Sequence, residues 1–208
     1  MTVNELLRSD LKRLGALVPA GSRVLDLGCG HGALMAHLRD ERGCVVRGLE
    51  IDGDRVSAAV ARGLSVVQTD LDQGLATFPD DSFDVAVLAQ TLQVVRSPAL
   101  VLREMLRVAD RAIVSFPNFG HWRVRAHLAL RGRMPVSRSI PYTWHETPNI
   151  HHTTIADFRD FVVAEGGVLL EEIPLITSAD GAIRRASLAP NLRADLAIAI
   201  VGRRPISV

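Results

Sequence analysis

The stretch Arg23-Val-Leu-Asp-Leu-Gly-Cys-Gly-His-Gly-Ala-Leu-Met35 constrains the fold of this chain more than any other. Val24, Leu25 and Leu27 form a short apolar run with the character of a buried strand. Gly28, Gly30 and Gly32 come directly after it, and Leu34, Met35 and Leu38 then recur at helical spacing. Strand, glycine loop and amphipathic helix, in that order, open a doubly wound α/β domain, which holds nucleotide-like ligands beyond the carboxyl ends of its strands. Without a Cβ, the glycines let backbone approach a ligand closely. A glycine triplet alone is a weak signal, so its meaning rests on the rest of the chain.

The rest of the chain keeps one rhythm. A first helix is expected over about residues 3–17, with Leu6, Leu7, Leu11 and Leu14 on one face and Pro19 and Gly21 ending it. After the glycine loop, Cys44 to Ile51 reads as a second strand ending on acid, and Asp52 or Asp54 caps a helix over about 55–62. Leu64–Asp70, the run after Asp80-Asp-Ser, and Arg111–Pro117 supply three more strands, with a helix opened by Ser97-Pro98 before the last of them. Val168–Ile173 and Asp195–Val201 complete seven strands, and Thr154-Ile-Ala-Asp157 opens a helix between them and the fifth. The expected fold is a single Rossmann-like sheet over 1–208, seven mostly parallel strands with the last antiparallel. Hydrophobic residues make up 48% and aromatics only 4%, which suits the aliphatic core of such a sheet.

The charge balance, 24 basic against 23 acidic residues, gives no general attraction to nucleic acid or membrane. Two cysteines, Cys29 and Cys44, make no disulfide framework, and no leader or membrane-length apolar run is visible, so a cytoplasmic setting is expected. Their spacing offers no metal site either.

Three acids choose among nucleotide-like ligands. Glu50 ends the second strand, where a carboxylate accepts from adjacent ribose hydroxyls. Asp26 sits at the mouth of the glycine loop, where it repels a pyrophosphate and attracts the ammonium and sulfonium of S-adenosylmethionine. Asp70, beside the apolar Leu71, can accept from an adenine amine. The spacing Gly-x-Gly-x-Gly also departs from the dinucleotide pattern. The expected adenosyl site is therefore Asp26, Gly28, Cys29, Gly30, Gly32, Glu50, Ile51, Asp70, Leu71 and Gln90, holding S-adenosylmethionine or S-adenosylhomocysteine. Glu50→Ala is expected to abolish binding while leaving secondary structure unaltered, since the residue is expected at a strand end rather than in the core.

These residues resemble the class I S-adenosylmethionine-dependent methyltransferase fold. Phe83–Gln93, Ile113-Val-Ser-Phe-Pro-Asn-Phe-Gly-His-Trp-Arg-Val-Arg125, Gly132-Arg-Met-Pro135 and Thr147-Pro-Asn-Ile-His151 together resemble the MetW family of methionine-biosynthesis proteins over nearly the whole chain. One departure is Trp144-His-Glu-Thr147, where the family usually shows Trp-Tyr-Asp-Thr. The resemblance implies a partner, the α/β-hydrolase homoserine O-acyltransferase (acetyl or succinyl), with the chain as its accessory subunit.

Residues 118–152 hold both tryptophans, the only tyrosine and five of the seven histidines, and are expected to form a lid or interface between the fifth and sixth strands. Trp122, Arg123, Arg125 and Trp144, with Arg131 and Arg133, are the expected partner contacts. The competing reading is an O-methyltransferase, which needs a general base, with His121, His145 and His151 as candidates beside His31 and His152. The chain carries Ala89-Gln-Thr-Leu-Gln93 where nitrogen methylation uses an Asn/Asp-Pro-Pro-aromatic turn.

Overall fold

A computed structural model describes residues 9–137, 139–178 and 181–203. Its elements are α1 (Ser9–Leu17), β1 (Arg23–Leu27), α2 (Ala33–Arg42), β2 (Val45–Glu50), α3 (Gly53–Ala61), β3 (Ser65–Gln68), β4 (Phe83–Ala89), α4 (Pro98–Val108) and β5 (Ala109–Pro117). Then come α5 (Trp122–Arg131), α6 (Ile155–Ala164), β6 (Gly167–Thr177), β7 (Ile183–Arg185), α7 (Pro190–Arg193) and β8 (Leu196–Arg203). The early part of the expected first helix, with Leu6 and Leu7, lies outside the described residues.

One eight-stranded sheet runs in the order β3-β2-β1-β4-β5-β8-β6-β7. The five strands from β1 to β5 pair in parallel, and β8 runs antiparallel between β5 and β6. Alternation along β1 sends Val24 and Leu25 to opposite faces. Val24 packs with Leu14 of α1 and Leu34 and Leu38 of α2, whereas Leu25 and Leu27 join Met105 of α4 and Phe158 of α6. Helices therefore cover both faces, and the chain reverses direction of winding between β1 and β4. At that switch point the carboxyl ends of neighbouring strands splay apart and leave a crevice.

Seven strands are expected from the sequence where the sheet has eight. The additional β7, Ile183-Arg-Arg185, is a three-residue edge strand whose two charged residues hide it from a search for apolar alternation. β6 also runs on past Ile173 to Thr177. Pro174 has no amide hydrogen to give a ladder, yet its carbonyl accepts from Ala186 at 2.8 Å on the β7 side, so the strand continues.

Capping agrees closely with the sequence. Asp52 accepts from the amides of Asp54 and Arg55 at the start of α3, and Thr154 and Asp157 form a reciprocal capping box on α6. Each fixes where its helix begins, and so where the preceding loop is released toward the crevice. Among the described residues no helix is long and apolar enough to cross a membrane.

Candidate functional site: a two-part cavity at the strand ends

The glycine loop is tied to β2 before any ligand arrives. Gly28 and Cys29 donate to the Leu49 carbonyl at 2.8 and 3.0 Å. Gly28 has φ +74°, and a Cβ there would lie 2.6 Å from the Thr91 hydroxyl, so both backbone conformation and space demand glycine. Glu50 completes the tie. One carboxylate oxygen accepts from Gly30 N at 2.8 Å, and the other accepts from Ile51 N and Asp52 N at 3.0 and 3.1 Å. The side chain is 5% exposed. Glu50 is thus part of the loop's own framework, and its expected place outside the core is corrected: it is buried, and alanine would release three backbone donors as well as any ligand.

Asp26 lies beneath the same loop, 2% exposed on the face of the sheet occupied by α1 and α2. Burial, and then the charge of Glu50, push its carboxyl from the usual carboxylate range up to about 7. No donor or cation among the described residues draws it back down. Cys29, buried next to both acids, has its thiol pushed up to about 12, chiefly by desolvation, which makes it a packing residue rather than a nucleophile.

Above this floor opens a cavity of about 930 Å³. Of the ten residues expected at the adenosyl site, Gly28, Glu50, Ile51, Asp70, Leu71 and Gln90 line it. Asp26, Cys29, Gly30 and Gly32 stand behind that wall as the loop and its support. Asp70 accepts from Asp72 N at 3.0 Å, and Asp72 in turn accepts from Arg96 N and Ser97 N, so the end of β3 holds the loop that comes after β4. Ser9, Asp10, Thr69 and Gln93 also line the cavity, outside the set expected from the sequence. Asp10 is the clearest of them: its carboxylate accepts from the Gln90 side chain at 2.6 Å, closing α1 over the end of β4. Its acidity gives no signal in the sequence, because an acid in the first turn of a helix is ordinary.

The far half of the cavity is formed by the ends of β4, β5 and β6 and by the segment after α5. Asn118 organises it. Fully buried, this side chain donates to the carbonyls of Asn191 and Ala194 and accepts from Gly120 N and Ile155 N, joining β5, α6 and α7. That four-way junction gives the Ser-Phe-Pro-Asn-Phe-Gly block a structural purpose its sequence does not disclose.

None of the candidate histidine bases lines the cavity. His121 caps α5, its Nδ1 accepting from Arg123 N at 3.3 Å, and burial holds its ring below the usual histidine range despite the opposing charge of Asp195. His145 is exposed against Trp144, His152 meets the edge of Phe119, and His31 is exposed in the glycine loop. His151 is half-buried, with an unpartnered Nε2. Among the described residues no three histidine, cysteine or acidic side chains gather as metal ligands do.

The expected partner residues point outward. Phe119, Val124 and Ile140 make a small core beneath α5, leaving Trp122 49% and Trp144 76% exposed. Arg123 stacks over Trp122 with its guanidinium carbon 5.3 Å from the ring, and Arg125 braces the turn by donating to the Gly120 carbonyl at 2.6 Å. Leu130 and Val136 extend the exposed apolar surface.

Comparison with known proteins agrees with this architecture. A family model described as "Methionine biosynthesis protein MetW" matches residues 8–201. The bifunctional methionine biosynthesis protein MetXA/MetW of Rhodopirellula baltica is 38% identical over 92% of this chain, which spans 32% of that longer protein. The ubiquinone biosynthesis O-methyltransferase of Hahella chejuensis is 36% identical over 67% of this chain and 60% of its own length. Among solved structures, an S-adenosylmethionine-dependent methyltransferase from Thermotoga maritima superposes with a TM-score of 0.71 at 16% identity, covering 94% of this chain and 88% of that one. The [4+2]-cyclase SpnF superposes with a TM-score of 0.65 at 18% identity over 93% and 80%. The last two share the fold alone. With a family model spanning almost the whole sequence and the methyltransferase-type sheet beneath it, this chain belongs to the MetW family.

Proposed function

We propose that the protein binds S-adenosylmethionine or S-adenosylhomocysteine in the near half of the cavity and acts as an accessory subunit of homoserine O-acyltransferase, docking through α5 and the segment after it. The observation that carries the ligand reading is the buried pair Asp26 and Glu50 under a glycine loop, with no cation supplied by the described residues. Such a pair suits a ligand that brings its own positive charge, and repels a pyrophosphate. Glu50 already accepts three amide hydrogens, so its carboxylate has room for one further donor, as a ribose hydroxyl would be. Asp70 and Leu71, one polar and one apolar, supply the edge and face contacts a purine needs.

The partner reading draws on the relative in which a MetW unit is joined to MetXA in one polypeptide. Covalent joining gives two modules a high effective concentration, and it is of use when they act on each other. The outward tryptophans and arginines are the residue types that carry interface energy, and they lie in a stretch, residues 111–145, without a single acidic side chain.

An O-methyltransferase is the second reading, favoured by the similarity to the Hahella enzyme. Fold alone does not decide it, as the cyclase among the structural neighbours illustrates. Against it stands the absence of any candidate histidine from the cavity wall. Assay of acyl-homoserine formation by the purified acyltransferase, with and without this chain, separates the two. Stimulation supports the subunit. No stimulation, together with transfer of labelled methyl from S-adenosylmethionine to an acceptor in extract, supports the enzyme.

A further inference from the structure

The far half of the cavity differs in chemistry from the near half. Gln93 lines it and is 6% exposed, and its side-chain nitrogen donates to the Gln90 carbonyl at 2.7 Å. A carbonyl cannot donate, so this bond fixes which way the amide points and leaves Oε1 as an acceptor. That Oε1 is buried and has no partner among the described residues. The backbone around it is held firmly, since the Gln93 carbonyl accepts from both Ile150 N and His151 N at 2.9 and 3.1 Å. With the backbone held and the side-chain nitrogen bonded to the Gln90 carbonyl, turning Oε1 elsewhere would break that bond.

Asp195, at the start of β8, faces the same half. One of its carboxylate oxygens accepts from Thr177 N at 2.8 Å, and no described side chain donates to the other. His121 lies within reach of its charge, but burial favours the neutral ring there. Arg55 and Arg96 are the only basic residues among the described cavity-lining ones: Arg55 lies on α3, and Arg96, exposed in the loop after β4, is bonded through its amide to Asp72. Among the described residues, the far half thus presents a carboxylate and a fixed neutral acceptor with no cation paired to either. A buried acceptor such as Gln93 Oε1 calls for a donor, and a half-buried carboxylate with an oxygen left over calls for a cation.

From this we infer that the far half is a second binding subsite, for a small aliphatic amine or amino alcohol, whose ammonium meets Asp195 and whose second donor meets Gln93 Oε1. A ligand with a free carboxylate is disfavoured there, because it would face the Asp195 carboxylate, which no described arginine or lysine pairs. The subsite stands independently of the adenosyl reading, since it uses none of Asp26, Glu50 and Asp70.

The test uses the full chain, with and without saturating S-adenosylhomocysteine, and three probes of similar size: 3-aminopropan-1-ol, butan-1-ol and butanoate. Amide chemical shifts report where each binds. The amino alcohol should bind at millimolar strength, as befits so few atoms, perturb the amides of Gln93, Thr177 and Asp195, and bind about tenfold more tightly than either competitor. Asp195→Asn retains an acceptor for Thr177 N and so keeps the strand, but should erase the preference for the amine. Gln93→Leu should weaken the amino alcohol about tenfold, while the melting temperature of each variant checks that the fold persists. Equal perturbation by all three probes overturns the inference. So does an amine preference that survives Asp195→Asn, or amino-alcohol affinity in a folded Gln93→Leu protein equal to wild type, because Oε1 would then serve only water. Loss of S-adenosylhomocysteine binding with the amine response intact would sink the adenosyl proposal and leave this one standing.

Discussion

Two regions of the molecule are incomplete in opposite senses. Under the glycine loop, Asp26 and Glu50 bury carboxyl groups with no cation among the described residues to meet them. On α5 and the segment after it, Trp122 and Trp144 hold apolar surface in water. The first strains the folded chain electrostatically and would be relieved by the small charged ligand proposed for it. The second costs the fold almost nothing and would become useful only when the proposed partner covers it. The first region is built from backbone hydrogen bonds around fixed acids, the second from side chains resting on a three-residue core of Phe119, Val124 and Ile140. A site that must discriminate a small charged molecule has to be preorganised, whereas a docking face needs only anchors correctly displayed.

The largest effect should come from relieving the buried charge. Because Asp26 titrates near 7 in the fold and near 3.8 when unfolded, the folded state holds more protons between those values. The carboxyl therefore supports stability at low pH and withdraws that support as pH rises from about 4 to about 7, by about 4 kcal/mol in total. Asp26→Asn should remove this dependence, so the variant gains on the wild type across that window and is most improved near pH 8. Thermal melts at a series of pH values, without ligand, check it; parallel curves for the two proteins would show that the acid is not isolated as described. The same carboxyl should lose its proton when a sulfonium binds, so wild-type affinity for S-adenosylmethionine should rise with pH up to about 7 and then level off.

Next in size is Glu50→Gln. Exchanging one carboxylate oxygen for an amide NH₂ sets donor against donor at Gly30 N or at Ile51 and Asp52 N, and removes the charged acceptor for ribose. Affinity for S-adenosylhomocysteine should fall about 100-fold, equivalent to about 3 kcal/mol, with a smaller loss of thermal stability. Calorimetry that found wild-type affinity would move the ribose away from Glu50 and break the proposed near half.

What the sequence discloses divides along the same line as the two regions. The strand, glycine loop and helix, the acids at the strand ends and the caps at Asp52 and Thr154 are legible because each is a local pattern in which neighbouring residues make the contact. Asn118, Asp10 and Gln93 are not, because their meaning lies in bonds across long stretches of chain: Asn118 to Ala194, Asp10 to Gln90, and Gln93 to the backbone of Ile150 and His151. Strand β7 is hidden for a related reason, since an edge strand of three residues shows too little periodicity to stand out. The histidines mislead in the opposite direction. Their number in 118–152 suggests chemistry, yet His121 is spent on capping a helix and His152 on packing against Phe119.

The docking face gives the third prediction. Replacing Trp122 and Trp144 together by alanine should weaken association with homoserine O-acyltransferase about 30-fold, or about 2 kcal/mol, as loss of central aromatic anchors does. Stability of the free protein should change by less than about 0.5 kcal/mol, because both side chains are already largely in water. Unchanged association would shift the interface elsewhere. A large loss of stability would mean that the tryptophans support the fold rather than a partner.

The smallest effect tests whether the two regions speak to each other. A chain of contacts runs from Asp10 to Gln90, from Gln90 to Gln93, and from Gln93 to the amides of Ile150 and His151, a few residues beyond Trp144. Spatial continuity alone does not establish coupling, which requires that ligand and partner each favour the same arrangement of that chain. If they do, saturating S-adenosylmethionine should alter acyltransferase affinity by about fivefold, close to 1 kcal/mol, and by linkage the acyltransferase should alter affinity for S-adenosylmethionine by the same factor. Measuring both halves of that cycle is more decisive than either alone, since unequal factors would expose an artefact of one assay. If both factors equal one, the cavity and the docking face are independent sites on a common sheet, and S-adenosylmethionine does not report to the acyltransferase through this protein.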